Sequence, residues 1–531
     1  MAQKLTLDAM IKRADFFQLN NEENHNSALS AKKLSSINFD SLKSDSNFVL
    51  NLRKPDFQRE TNQWSVEQTI GFIQSFVEGF FVPSVILWQS TDGYVFVIDG
   101  AHRLSALRAW IEDDYGDGGI SLAFFGGELP LAQKKIAKKI RERIEEAIGT
   151  YKSLKDKLSA RNANPTIQYD DLTNKRLKNF SGRELELQWV GGDASVAEAS
   201  FFKINTQGTA LDKTEEALLR NRERSIAMAA RSIIRAATGH KYWSKFDAKI
   251  GAEIEKLSRE IYQLYFRPEL DRPIKTLQLP LGGSASILDS LAIVIRLLSI
   301  TEMNQSKGRL LLENSVEDTD GTATIAVLKN CLKTLRRMTG NDESSLGLHH
   351  AVYFYSERGK QIPELFLGMA FLIKSKLLNN DTSFFKKFTS VRAAYEEYLI
   401  EHKQVVTQAL IAIRSEKRTE RMSSMFEYLV VEFAEKRAPT LEGLSNAANL
   451  KGTLVQFAEK VSGKSFSEEG KSAIFLKAAL KNALKCPICD GYLEPSISGS
   501  YDHIIRKSSG GDSEDSNGQL VHPYCNTGYK S

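Results

Sequence analysis

Cysteine is scarce, with four in 531 residues, and three of the four lie in the last stretch of chain. That usage excludes a disulfide framework and points to a reducing compartment. Long apolar runs are missing too. The most apolar stretch, Leu291–Ile300, is interrupted by Arg296 and is too short to span a bilayer. Residues 1–20 carry no unbroken apolar run of the kind a secretory leader needs, so a cytoplasmic protein with no membrane partner is expected. Charge of one sign is also in short supply: a formal net charge of +5 neither demands nor excludes nucleic acid. No repeat of fixed period runs through the chain. What is present is ordinary for a globular protein, 42% hydrophobic residues, in a length that allows about three domains of ~150 residues.

The chemistry concentrates at the C-terminal end. Cys486-Pro-Ile-Cys489 and His522-Pro-Tyr-Cys525 are two close pairs of soft donors. Four such donors from two knuckles suit tetrahedral Zn²⁺, and metal binding would supply folding energy to a segment too small for much core. Between the knuckles stands Asp502-His503-Ile504. A carboxylate beside a histidine can divide phosphodiester hydrolysis: Asp502 would hold a divalent cation on the phosphate oxygens, and His503 would take a proton from the attacking water. Asn517 is expected to fix the His503 ring through a backbone bond, and Asn526 to be a second ligand of the catalytic metal. Ser508–Gly518, rich in Gly, Ser and Asp, reads as a loop.

These residues, with Gly510-Gly511, Leu520 and Lys530, resemble the zinc-knuckle branch of the HNH endonucleases. The resemblance implies a ββα-metal fold, Mg²⁺ or Mn²⁺ dependence and DNA cleavage. It makes His503 the general base, Asp502 and Asn526 the holders of the catalytic metal, and Asn517 the residue that orients His503. His522 departs from the family's usual cysteine but keeps the site as Cys₃His, and Asn526 replaces a histidine.

Near the N-terminus the pattern changes. Residues 1–46 are polar and read as a cap or arm. Phe48–Leu52 is a short apolar run expected to be a strand. Ser65 is a plausible N-cap for a helix with Ile70, Ile73, Phe76 and Val77 on its apolar face. Val82–Leu87 leads into a second strand, and Tyr94–Ile98 is so uniformly apolar that a central strand is expected. That strand runs straight into Asp99-Gly-Ala-His-Arg103 and a helix. Backbone N–H groups and the helix dipole favour an anion at such a turn, and Arg103 can grip phosphate in a bidentate way. Asp99 as a cap and Arg103 as a surface ion pair is the blander alternative.

The segment as a whole, with Pro55–Arg59, Trp64, Gln68, Gly79, Pro83 and, further on, Phe201–Gly208, resembles the DGQQR-type domain. That domain belongs to the ParB/sulfiredoxin-like superfamily and occurs in GmrSD-type modification-dependent restriction systems and phosphorothioate-sensing SspE-type proteins. The resemblance implies nucleotide binding, commonly hydrolysis of GTP or another triphosphate, coupled to recognition of modified DNA. It carries over to Asp99, Gly100, His102 and Arg103, with Arg59 and Asn205 as further pocket members. Ala101-His102 stands where the name-giving motif has two glutamines.

Beyond it, Leu131–Leu158 reads as one long helix, with isoleucines at steps of four from Ile136 to Ile148 among many Lys and Arg. That basic surface is either a solvated face or an arm on the DNA backbone. Arg183–Val190 alternates as a strand should. From Lys213 to Leu484 the pattern is mostly helical, with expected helices at 217–237, 250–266, 286–300, 323–338, 362–378, 391–413 and 425–434. His349-His350, followed by Tyr353-Phe-Tyr355, reads as interior packing rather than a metal site.

The expectation is an α+β chain in four parts: an arm at 1–46, a nucleotide- or DNA-sensing α/β domain at 47–235 with a helical insertion at 120–165, a helical linker at 236–475, and a zinc-stapled HNH module at 476–531. The function expected is a gated DNA endonuclease of an anti-phage or restriction-type defence system, acting on foreign or phage DNA, as a possible homodimer. The rival is a nucleotide-switched DNA-binding regulator that does not cut.

Overall fold

The computed structural model describes residues 5–14, 16, 33–56, 64–129, 131–207, 213–238, 240–283, 287–304, 308–450 and 466–530. They fall into two compact units, Met1–Arg222 with Thr238–Tyr242, and Glu223–Ala237 with Trp243–Ser531. No helix among the described residues is long and apolar enough to cross a membrane.

The first unit is built on a six-stranded mixed sheet. Its strands are β1 (Arg13–Ala14), β2 (Ser36–Ile37), β3 (Leu52–Pro55), β4 (Val85–Gln89), β5 (Val95–Asp99) and β6 (Leu185–Trp189), in the order β1-β3-β5-β4-β6-β2. β5 runs parallel to β3 and antiparallel to β4. It lies in the interior of the sheet, as its apolar run predicts. Successive side chains of a strand point to opposite faces, and both faces here are covered. Val95 and Val97 join a core with Ile73, Leu107 and Trp110 from the helices Val66–Val77 and Ala101–Glu112. Phe96 and Ile98 join Phe16, Trp88 and Phe201 on the other side.

Several local expectations give way to tertiary context. Residues 47–51 form a short helix rather than a strand, because Ser46 Oγ accepts the Val49 N–H at 3.1 Å and caps it; β3 begins only at Leu52. Of the N-terminal stretch expected to be a cap or arm, the described residues pack into the first unit. Leu5, Leu7, Met10 and Ile11 are buried in the core, Arg13–Ala14 pairs with β3, and buried Arg108 donates to the carbonyls of Met10 and Leu42. The long helix breaks in two, Leu131–Ala147 and Tyr151–Ala163, where Gly149 turns left-handed and Thr150 caps the second piece. On the first piece Arg141 is taken up by Asp113 and Asp117, and Arg143 by Glu67. The helix expected at 217–237 also splits, into Lys213–Arg220 and Ser225–Ile234. Between them the Glu223–Ser225 backbone pairs with residues 316–318. The 391–413 stretch likewise breaks at His402, into Arg392–Glu401 and Lys403–Ala412.

The second unit is a helical assembly around Ala248–Phe266, Ile287–Thr301, Thr322–Met338, Pro363–Leu378 and Arg418–Ala434, ending in a two-stranded hairpin of β7 (Ser500–His503) and β8 (Gly518–Val521). His349 and His350 are buried in it. His350 Nδ1 faces the Leu279 carbonyl and Nε2 the Thr339 hydroxyl. Burial pushes His349 down to about 3 and His350 down to about 4, so both are neutral when folded. Unfolded, each would titrate near the ordinary value of ~6.5. Below that value the unfolded chain binds more protons, so stability falls as pH drops from ~6.5 toward those depressed values. Roughly 2 kcal/mol per histidine is lost between pH 7 and 5, read as a lower urea midpoint by circular dichroism. A midpoint unchanged across that window would contradict the assignment of neutral histidines.

Candidate metal centre and C-terminal hairpin

The two knuckles come together. One donor atom each from Cys486, Cys489, His522 and Cys525 lies within 4.8 Å of every other. Cys486, His522 and Cys525 are buried. His522 Nε2 meets the Tyr492 carbonyl at 3.0 Å, while Nδ1 stands 3.4 Å from Cys489 Sγ and 3.9 Å from Cys525 Sγ. With Nε2–H donated to a carbonyl, the Nδ1 lone pair is turned into the cluster, which is how a ligating imidazole is held. The neighbouring sulfurs, Cys489 first, hold the Cys486 thiol well below the usual thiol range. The Cys₃His set fits a tetrahedral, thiophilic ion such as zinc.

The module's seat is unusual. Arg392 and Glu396 are an almost fully buried ion pair, Nε to Oε1 at 2.7 Å. Burial works against the Arg392 charge, and Glu396 outweighs it. Arg392 also donates to the carbonyls of Leu346 and Gly347. Glu396 accepts from the Tyr353 hydroxyl at 2.8 Å and from the Tyr492 backbone N–H at 2.6 Å. One peptide thus links the pair to the metal group, since Tyr492 takes the carboxylate on its N–H and His522 on its carbonyl. Gly347 has φ +58°, and a Cβ there would sit 2.7 Å from the His522 ring, so only glycine fits. Arg392→Ala would leave Glu396 buried without its partner and should destabilise the second unit by roughly 3–5 kcal/mol, measurable by urea unfolding. A loss below about 1 kcal/mol would show that the pair does not anchor the module.

The hairpin places the hydrolytic candidates. Asp502 faces Gln519 across it, and His503 faces Gly518. Asp502 Oδ2 accepts from Lys530 Nζ at 2.7 Å and Gln519 Nε2 at 2.9 Å. Burial opposes its charge, but those donors hold the carboxyl below its usual range. Lys530 also donates to the His503 carbonyl at 2.8 Å. Asn517 is buried and works entirely on backbone. Its carbonyl accepts from Ile504, its Oδ1 from Ile505, and its Nδ2 donates to the carbonyls of Ile505 and Asp512. It closes the loop that follows His503, and none of its bonds among the described residues reaches the His503 ring. Asn526 lies in the closing helical turn, Cys525–Tyr529, and donates to Ser500 Oγ and the Tyr501 carbonyl on β7. Asp502, His503, Asn517 and Asn526 are therefore gathered around one hairpin. Sequence reasoning assigned no role to Lys530 or Gln519, although Gln519 sits where hairpin register would put a partner for Asp502. It missed Arg392 and Glu396 altogether. Their only signal was an Arg and a Glu four apart on a half-apolar helix.

In the first unit, β5 ends in Asp99, Gly100 turns left-handed at φ +95°, and the helix starts at Ala101. A Cβ on Gly100 would meet Val85 at 2.9 Å, so the turn needs glycine on two counts. Arg103 Nη2 is bound to Asp99 Oδ2 at 2.6 Å and to the Ser84 carbonyl at 3.1 Å. The His102 ring stacks on Trp64 at 5.5 Å. Asp99, Gly100, His102 and Arg103 are thus one cluster at a strand end. Arg59 and the side chain of Asn205 lie outside the described residues; the Asn205 backbone belongs to the helix Ala194–Gln207.

Comparison with family models agrees with both ends of the chain. Residues 39–222 match the GmrSD restriction endonuclease, N-terminal domain. Residues 486–531 match the HNH endonuclease. No curated protein and no solved structure matches.

Proposed function

We propose a division of labour for a chain that carries a GmrSD-type N-terminal domain and a C-terminal HNH domain and is a DNA endonuclease of a restriction-type system. The HNH hairpin cuts, and the strand-to-helix cluster of the first unit decides when. His503 takes the proton of the attacking water. Asp502 and Asn526 supply hard oxygen donors suited to Mg²⁺ or Mn²⁺, which when bound would polarise the phosphate and neutralise charge developing on it. Asn517 keeps His503 in place by fixing the Ile504–Ile505 backbone. Lys530 competes for the Asp502 carboxylate, so it must yield as that carboxylate takes a cation. Cys486, Cys489, His522 and Cys525 hold a structural zinc.

In the first unit, Asp99, Gly100, His102 and Arg103, with Arg59 and Asn205, receive GTP or another triphosphate, or read a modification on foreign DNA. A nucleotide phosphate would compete with Asp99 for Arg103. A cytoplasmic site of action fits a defence role. Because one hairpin hydrolyses one strand, a double-strand break would call for a homodimer or two events.

The observation that carries the reading is the hairpin itself, with Asp502 and His503 adjacent on β7 beside a Cys₃His group. The test is cleavage of unmodified plasmid and hypermodified phage DNA with Mg²⁺ or Mn²⁺, with and without GTP or ATP, using the wild-type chain and Arg103→Ala. Wild-type cutting should differ between substrates or with nucleotide, and Arg103→Ala should lose that difference while still cutting. Equal cutting of both DNAs under all conditions would discard the gate and leave the nuclease.

A further inference from the structure

A second charged feature lies in the same compact unit as the hairpin. The helices Ala248–Phe266 and Thr322–Met338 pack side by side, and the middle of the first and the C-terminal half of the second enclose an open cleft of about 390 Å³. Four cations line it, Lys256, Lys329, Lys333 and Arg336, against two carboxylates, Glu260 and Asp342. Arg336 is held by both carboxylates, and Lys329 by Glu253 at 3.4 Å. Lys256 and Lys333 are exposed and find no carboxylate among the described residues. The cleft therefore presents uncompensated positive charge. No aromatic side chain lines it to stack a base.

The cleft's far wall is the loop on which the nuclease module rests. Asp342 and Ser344 line the cleft. In the same loop Asn341 Oδ1 accepts the Gly499 N–H at 3.0 Å, the Glu343 carbonyl accepts from Thr527, and the Ser345 carbonyl accepts from the Tyr524 N–H. The last turn of Thr322–Met338 faces both ways. Arg336 belongs to the cleft, while Arg337 lies over the Tyr524 ring at 4.6 Å. Gly499 directly precedes β7, and a strand advances roughly 3.3 Å per residue. Asp502 is thus within about 10 Å of the point where the loop grips the hairpin.

We propose that this cleft is a phosphate-backbone tract for the DNA being cut, holding a strand a few nucleotides from the scissile bond. Lys329 and Lys333 stand one turn apart on one helix, roughly 6 Å along its axis, and Lys256 lies on the other helix of the cleft. That spacing is close to two phosphate steps of one strand at roughly 3.4 Å of axial rise each. Charge without hydrogen-bonding specificity suits a contact that positions the duplex and leaves sequence unread. The tract rests on the nuclease reading for its purpose, but its binding role is separately testable.

The test uses the full chain carrying His503→Ala, so that bound DNA stays whole, with and without Lys256→Ala, Lys329→Ala and Lys333→Ala together. Fluorescence anisotropy on a labelled duplex is read over a range of salt. Each lost phosphate contact flattens the slope of log K against log salt by about 0.9, so the triple variant should lose about 2–3 in slope and at least roughly tenfold in affinity at low salt. Arginine at the three positions should restore both. An unchanged slope and affinity would overturn the proposal. So would loss of GTP or ATP binding with DNA binding intact, since the cleft would then be a nucleotide site. A wild-type chain that binds DNA through these lysines yet never cuts would remove the nuclease reading and leave the tract standing.

Discussion

His503→Ala should slow DNA cleavage by about 10²–10⁴-fold, the range lost when a positioned general base is removed, with fold and bound zinc unchanged. The geometry makes that separation clean. His503 ends β7 as a half-buried residue, and its carbonyl, which alanine keeps, is the atom that Lys530 engages. The loop after it is closed by Asn517 through backbone groups, which alanine also keeps. Asp502→Ala should be as damaging to cleavage for a different reason. It removes the carboxylate that would hold the catalytic cation and leaves Lys530 and Gln519 without their shared acceptor. The two variants therefore differ in metal response: raising Mn²⁺ should partly recover Asp502→Ala and do nothing for His503→Ala. Nicking of supercoiled plasmid, titrated with metal, reads both. Full activity in His503→Ala would place the general base elsewhere.

The parts legible in the sequence were those carried by local spacing. Two pairs of donors, each framing two residues, announced the Cys₃His group, and the apolar run at Tyr94–Ile98 announced an interior strand. The turn at Asp99–Arg103 was legible because strand, glycine and helix follow one another directly. What escaped depends on residues distant in the chain. Leu5, Leu7 and Met10 look like scattered apolar residues in a polar stretch until Arg108 of the helix Ala101–Glu112 is seen bound to the Met10 carbonyl and Arg13–Ala14 paired with β3. Phe48–Leu52 has the composition of a strand, and one capping bond from Ser46 decides otherwise. The isoleucine steps of 136–148 outweighed Gly149, whose left-handed backbone ends the helix. Arg392 and Glu396 were invisible for a stronger reason. Their partner is the Tyr492 peptide, 96 residues beyond Glu396, and a peptide N–H leaves no mark in a sequence.

Loss of a metal held by the Cys₃His group should have the largest effect of all, because the module has little else to fold around. Its buried cluster is Cys486, Val521 and Cys525, with Ile488 and Cys489 packed against it, and beyond it only Leu493 and Tyr524 are buried apolar residues of the described module, so the donors are a large part of what it packs around. Apolar burial of that size is worth a few kcal/mol at ~25 cal/mol per Å², whereas a structural Zn²⁺ contributes on the order of 10 kcal/mol. Chelation, or Cys489→Ser, should therefore unfold residues 485–530 and abolish cleavage, with a loss of zinc measurable by mass spectrometry of the native chain. The helical part should survive, since its own core residues Leu328, Leu335, Phe366 and Phe426 are buried. Hydrogen exchange should show where the boundary falls. Protection should vanish through the hairpin and weaken in the 340–347 loop, whose Ser345 carbonyl and Asn341 side chain hold the module. It should persist in Thr322–Met338 and Pro363–Leu378. Arg392 would keep its own carboxylate, Glu396, so the buried pair should remain as a seat on which the module refolds when zinc returns. Readdition of Zn²⁺ should restore cleavage without refolding the rest of the chain. If chelated protein still cut at the wild-type rate, the Cys₃His group would not be what holds Asp502 and His503 in register.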